Sequence, residues 1–210
     1  MPLYKTIQHS SNTKILVWKI TESFQELSSQ IILEPINQLR ISEMKSEIHQ
    51  CAFLSVRKLL QVINHSDADL YYDQFGKPHL KNEKYISITH SHHFAAIIIS
   101  NKQVGIDIEL QREKIIKIAN KFSVEQFHEN VKQNYMRKLT VIWGAKEAIF
   151  KIKNEKGISF KDHIQVNPFE IEDNNTVANL NFNSKDEKFK IYFQEFENYT
   201  LVYAYENLQL

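Results

Sequence analysis

Apolar and polar positions change period several times along the chain, and each change predicts an element. Lys14–Ile20 (KILVWKI) alternates well enough for a strand. From Ser42 to Ile63, apolar residues Ala52, Phe53, Val56, Leu59, Leu60 and Ile63 recur every three or four positions, which predicts a helix. Ala68–Leu80 contains Gly-Lys-Pro and reads as strand, turn and short strand. Tyr85–Thr89 and Phe94–Ser100 are β-rich runs joined by His90, Ser91, His92 and His93, which predicts a hairpin with a polar loop. Val104–Leu110 (VGIDIEL) opens a second half as another strand. Helical patterns follow over Glu113–Lys121, Val124–Lys132 and Tyr135–Lys153. Strands return at His163–Val166, Val177–Phe182, Phe189–Glu195 and Tyr199–Tyr205, with Asp173, Asn174 and Asn175 marking a turn. Each half thus runs strand, helical region, then antiparallel strands, with a junction expected near Asn101–Gln103.

Composition narrows the function classes. The chain has 210 residues, 42% of them hydrophobic, enough for one large domain or two small fused halves. Lys and Arg total 26 against 25 Asp and Glu, so net charge gives no reason to expect a nucleic-acid partner. Cys51 is the only cysteine, which excludes an intramolecular disulfide and fits a reducing compartment. The first residues lack the pattern of a secretory signal, and the longest apolar run, Phe94–Ile99, is far short of a membrane span. The expectation is a cytoplasmic protein with no membrane partner.

Four constellations carry candidate chemistry. Asp107 and Glu109 lie two apart on a strand and share a face, while Ile106 and Ile108 anchor the other face. Adjacent carboxylates repel, and a hard divalent cation would relieve them; a solvated strand face is the bland alternative. In Trp143-Gly-Ala-Lys146-Glu147-Ala-Ile-Phe-Lys151, Glu147 and Lys151 are four apart on a helix, as a metal carboxylate with a phosphate ligand or as an ordinary surface pair. Phe75-Gly76-Lys77-Pro78 offers close backbone approach, stiffness and a point charge for phosphate, or simply a turn. Ser87-Ile-Thr89-His90-Ser91-His92-His93 invites a zinc reading, but thiol partners and helical ligand spacings are missing. A phosphate or ribose contact through Thr89 and His90 fits better.

The order of these blocks, G-K-P, S-I-T-H-S, V-G-I-D-I-E and W-G-A-K-E-A-I-F-K, resembles the phosphopantetheinyl transferase superfamily. The match, from about Gly76 to Lys151 and more weakly back to Arg40, is to its longer, pseudo-dimeric surfactin-synthetase-activating type. The resemblance implies an α+β fold of two similar α/β halves related by pseudo-twofold symmetry, each an antiparallel sheet packed on helices. Residues 1–102 would take the nucleotide side of coenzyme A and residues 103–210 the metal and catalytic carboxylates, with the active site in the cleft between them. It implies Mg²⁺, or Mn²⁺, on Asp107, Glu109 and Glu147, with Glu147 helping to take the proton from a carrier serine and Lys151 holding a pyrophosphate oxygen. Gly76, Lys77 and Pro78 would border the adenine and ribose phosphate. Thr89 and His90 would stand near the 3′-phosphate, with Arg40, Lys45 and Arg57 as further cofactor-binding candidates. The product would be a holo acyl or peptidyl carrier protein plus adenosine 3′,5′-bisphosphate, and two fused halves make a monomer sufficient.

Two positions depart from the family pattern. The arginine run common before and within the first long helix is reduced here to Arg40, Lys45, His49 and Arg57. In Phe122-Ser123-Val124-Glu125-Gln126, Gln126 stands where relatives often have glutamate, with Glu125 and Glu129 nearby. A divalent-metal nuclease is the rival enzyme, but Gln111 stands where that chemistry wants lysine and no basic stripe is present. A non-catalytic carrier-binding module is the second rival. For an acidic carrier, the stretch from Lys114 to Lys138, with Lys117, Lys121, Lys132 and Arg137, is the candidate docking surface, with plain solvation of those lysines the alternative.

Overall fold

The structure, a computed structural model, describes residues 3–124 and 132–206. The chain divides into two compact units, residues 1–102 and 103–210.

The first unit begins with β1 (Leu3–Ser10) and β2 (Thr13–Lys19), then α1 (Phe24–Ser28), α2 (Pro35–Ser42) and α3 (Glu47–Val62). A small hairpin, β3 (Leu70–Tyr72) and β4 (Pro78–Leu80), precedes β5 (Tyr85–Ser91) and β6 (Phe94–Ser100). The main sheet is antiparallel in the order β1-β2-β6-β5. Its core joins Leu16, Trp18, Ala95 and Ile97 of the sheet to Val56, Leu59 and Leu60 of α3. Each such leucine or valine removed from water contributes about 1.5–3 kcal/mol, and that burial seats the helix on the strands.

Two sequence expectations need correction in this unit. The helix expected over residues 42–63 starts later, at Glu47: Ser42 is the last residue of a separate helix, α2, and the chain re-enters helical hydrogen bonding only after Ser46. The polar loop expected at 90–93 is shorter: β5 runs on to Ser91, and His92 alone takes a left-handed φ of 48°. β1 escaped notice because it is an edge strand whose half-buried face alternates Leu3, Lys5, Ile7 and His9, so polar residues break its apolar period.

The second unit runs β7 (Val104–Leu110), α4 (Lys114–Ile118), α5 (Lys132–Lys153), β8 (Ile164–Val166), β9 (Asn175–Phe182), β10 (Lys185–Phe196) and β11 (Tyr199–Glu206). The sheet is antiparallel in the order β7-β11-β10-β9-β8. Turns at Asn183-Ser184 and Glu197-Asn198 have positive φ at both residues, the geometry that matches strand twist in tight hairpins. The helix expected over 113–121 is only α4 followed by a 3₁₀ turn at Ala119–Lys121. The helix expected over 124–132 lies almost wholly outside the described residues, as do Glu125, Gln126 and Glu129.

Both units share a connectivity. A strand leads to a long helix and then to a hairpin whose last strand pairs back with the first: β2 with β6, and β7 with β11. The architecture is α+β with antiparallel sheets.

Candidate active site

The catalytic candidates of the second unit meet where α5 lies on β7 and β11. Asp107 pairs in register with Val202, and Gly105 with Ala204, so both face the side of the sheet that α5 covers. Ile106 and Ile108 are fully buried on the opposite face. Two glycines permit the close approach. A Cβ on Gly105 would stand 1.9 Å from the Ala148 carbonyl oxygen, and one on Gly144 would stand 2.6 Å from Val202 Cγ2 and 3.8 Å from Asp107 Oδ2. Strand and helix backbones therefore nearly touch, which brings the D-x-E strand against the K-E-x-x-x-K helix.

In that contact Lys151 Nζ donates to Asp107 Oδ1 at 2.8 Å and to the Ile106 carbonyl at 2.8 Å. An ammonium has three donors, and two are used here. Lys151 is thus an organiser of the carboxylate strand as well as the expected phosphate cation. Glu147 is pushed up to about 7, chiefly by burial, then by the charge of Asp107; Lys151 pulls it back and Glu109 adds to the rise. Asp107, Glu109, Glu147 and Lys151 therefore form one electrostatic unit. Among the described residues, no three acidic, histidine or cysteine side chains are gathered as a ready metal site. The donor set itself is all oxygen and self-repelling, which is the chemistry that suits a hard divalent cation rather than a soft one.

The raised Glu147 has a stability consequence. Its folded pKa lies above the usual carboxylate value, so the native state holds a proton that the unfolded state has released between about pH 4.5 and 7. Without divalent cations, stability falls as pH rises through that window and stays lower above it. The cost is on the order of 1–3 kcal/mol after allowance for the solvent-facing part of the group. Glu147→Gln should abolish that slope: urea melts should find the variant more stable than wild type at pH 8 and level with it at pH 4.5. Equal differences at both pH values would contradict the coupling.

Lys146, next to Glu147, is fully buried and its ammonium donates to the carbonyls of Phe122 at 2.7 Å and Phe160 at 3.0 Å. It ties α5 to two flanking segments and takes no place at the surface. Beside Glu109, a cavity of about 160 Å³ is walled by Leu110, Ile115, Ile118, Thr140 and Trp143, with Arg112 and Lys114 also lining it. Sequence reading did not anticipate this cavity, because its walls come from three elements.

The first unit holds two further groups. The Gly-Lys-Pro turn is built by Asp73, whose Oδ1 accepts from the backbone of Phe75 at 2.9 Å and Lys77 at 3.0 Å, while Oδ2 pairs with His79 Nε2 at 3.0 Å. The His79 bond, then the Lys77 amide, hold the Asp73 carboxyl below its usual range. Gly76 takes a φ of 80°, which favours glycine. Pro78 pairs with Tyr72, and the Arg40 guanidinium lies 4.6 Å from the centre of the Tyr72 ring. Arg40 is thereby brought to the Gly76-Lys77-Pro78 hairpin. Thr89 is buried and His90 exposed at the end of β5, where the His90 ring stands 5.8 Å from that of His49 on α3. His49 is thus a partner of His90 that the spacing of the two residues in sequence conceals. Lys45 is exposed between α2 and α3.

Arg57 requires correction. It is 2% exposed, and its Nε donates to Asp67 Oδ1 at 2.8 Å, so it is an internal ion pair and not a surface phosphate ligand. The expected docking lysines are also engaged: Lys138 is buried against Glu170 at 2.9 Å, Lys132 pairs with Glu113 at 2.7 Å, and Arg137 pairs with Glu195.

Strand and helix carboxylates thus meet beside a lysine, in an α+β chain with a separate glycine-lysine-proline hairpin, the blocks on which the family resemblance rests. Comparison with known proteins makes this specific. The sequence model of the 4′-phosphopantetheinyl transferase superfamily matches residues 103–204. The chain is 33% identical over 158 residues to the 4′-phosphopantetheinyl transferase gsp of Aneurinibacillus migulanus, an alignment covering 70% of this chain and 63% of that protein. The chain belongs to the 4′-phosphopantetheinyl transferase superfamily. No helix among the described residues is long and apolar enough to cross a membrane.

Proposed function

We propose that this protein transfers the 4′-phosphopantetheine group of coenzyme A to a serine of an acyl or peptidyl carrier protein. The observation that carries the reading is the close seating of the helix bearing Glu147 and Lys151 on the strand bearing Asp107 and Glu109, where Lys151 donates to Asp107 Oδ1 at 2.8 Å. Asp107, Glu109 and Glu147 would hold a divalent cation, Mg²⁺ or Mn²⁺, which when bound neutralises pyrophosphate charge. The serine Oγ attacks the β-phosphorus, the bond from that phosphorus to the bridging oxygen breaks, and adenosine 3′,5′-bisphosphate leaves. Glu147 takes the serine proton, directly or through water. Lys151 meets the developing charge on the pyrophosphate.

The first unit takes the nucleotide end of the coenzyme. Gly76, Lys77 and Pro78 border adenine and ribose, Arg40 stands beside them on Tyr72, and His90, with His49 beside it, meets the 3′-phosphate. Lys45, being exposed, is a further candidate. A monomer acting in the cytoplasm is the simplest state for such an enzyme, and the single buried thiol, Cys51, accords with it.

Two measurements test the reading. Coenzyme A, Mg²⁺ and an apo carrier protein should yield adenosine 3′,5′-bisphosphate by ion-exchange chromatography only when the carrier retains its serine; no release with fatty-acid, polyketide and peptide-synthetase carriers alike would contradict it. Lys77→Ala should raise the KM for coenzyme A about fivefold and leave kcat nearly unchanged, as loss of one point charge on a phosphate predicts. A fall in kcat at constant KM would place Lys77 at the chemistry instead.

A further inference from the structure

The Arg57–Asp67 pair sits at the centre of a buried network that joins α2, α3 and the turn leading into β3. Asp67 opens a 3₁₀ turn, Asp67–Asp69, that runs directly into β3 and so into Tyr72. Its Oδ2 accepts from the Glu34 backbone N–H at 2.8 Å and from Asn37 Nδ2 at 2.9 Å, and its Oδ1 accepts from Asn37 Nδ2 at 3.0 Å and Arg57 Nε at 2.8 Å. Glu34 is the N-cap of α2 and supplies no side-chain cap of its own. The carboxylate of Asp67 accepts from the N–H of that cap residue and sets a negative charge at the positive end of the helix. Arg57, on α3, also donates to the Phe53 carbonyl, and its guanidinium lies 3.5 Å from the centre of the Phe53 ring. Phe53 in turn stands 5.9 Å from the guanidinium of Arg40. Asn37 and Arg40 are three residues apart on α2, one turn, so what fixes Asn37 fixes Arg40. A cavity of about 610 Å³ is lined by Asn37, Arg40, Asp67 and Tyr72 among others.

We propose that Asp67, held by Arg57 and acting through Asn37, is a positioning residue that sets Arg40 over Tyr72 at the nucleotide end of the coenzyme. This rests on the transferase reading above. Arg57 thus serves coenzyme binding from inside the unit, without touching the ligand. Elsewhere α2 is tied to α3 by Gln50, whose side chain donates to the Ile41 carbonyl at 3.2 Å near the far end of the helix; its first turn needs a further tie to fix its rotation. A hydrogen-bonded carboxylate specifies it.

The test is a double-mutant cycle between Asn37→Ala and Arg40→Ala, read by the KM for coenzyme A, with amide hydrogen exchange of α2 measured alongside. Asn37→Ala keeps the Arg57–Asp67 pair, so the unit should fold. It should raise KM about tenfold in the native background with kcat within twofold, and change KM less than twofold when Arg40 is already alanine. Exchange of the α2 amides should speed up even without coenzyme. Additive KM effects in the two backgrounds, or faster exchange with an unchanged KM, would overturn the positioning role. Absence of any transfer by the unaltered protein would instead count against the transferase reading, and unchanged α2 exchange would then still refute the anchor.

Discussion

Glu147→Gln should lower the rate of phosphopantetheine transfer by about two to four orders of magnitude, the range lost with a general base. The amide is nearly isosteric, so the contact between α5 and β7 is retained. What disappears is one proton acceptor and one cation ligand. The same change removes a buried, repelled carboxylate, so the inactive variant should be the more stable protein at pH 8. Asp107→Ala should be comparably inactive for a different reason. It deletes the carboxylate that Lys151 holds at 2.8 Å, leaving the lysine on the Ile106 carbonyl alone. Measured together by a carrier-modification assay and urea unfolding, the pair separates catalysis from folding. An active Asp107→Ala variant would remove the carboxylate site from the account, and an active Glu147→Gln variant would remove its base.

Gly105→Ala should be the most damaging small substitution in the second unit. Its new methyl would lie 1.9 Å from the Ala148 carbonyl, and both groups belong to backbone that cannot rotate away. Helix and strand must separate, at a cost of about 3 kcal/mol or more. Because Ala148 follows Glu147, the displacement also moves the carboxylate proposed as the base, so activity and stability should fall together. Gly76→Ala makes the contrasting case. Its Cβ would meet nothing within 4 Å, but its φ of 80° is disfavoured for alanine, at about 1–2 kcal/mol. Chemical unfolding should rank Gly105→Ala as clearly the more destabilised. The reverse order would show that α5 can slide on the sheet, and the tight seating of Glu147 would no longer hold.

The elements most legible in the sequence were those whose pattern is complete within themselves. VGIDIEL announces a strand with carboxylates on one face, and the apolar spacing of α3 and of α5 marks their buried stripes. The carboxylate–lysine unit was foreseeable from D-x-E and K-E-x-x-x-K because period two and period 3.6 each fix a face. Local pattern failed where the partner is distant. Arg57 looks like a surface cation until Asp67 arrives from ten residues on and buries it. His49 and His90 meet only because the first turn of α3 lies beside the end of β5, and the cavity by Glu109 is assembled from β7, α4 and α5. Short elements were lost for a related reason. α1 has five residues and is held by the Ser23–Glu26 capping box, a signature present in the sequence but too brief to show helical periodicity.

The central claim is that this chain attaches phosphopantetheine to a carrier serine, and intact mass spectrometry tests it most directly. An apo carrier incubated with the protein, coenzyme A and Mg²⁺ should gain about 340 Da, the mass of the transferred group in a metal-assisted phosphoryl-type transfer. The gain should vanish with EDTA, with serine-to-alanine carrier, and with Glu147→Gln. A gain that survives EDTA and Glu147→Gln would contradict the carboxylate site, and no gain on any carrier tried would contradict the transferase itself.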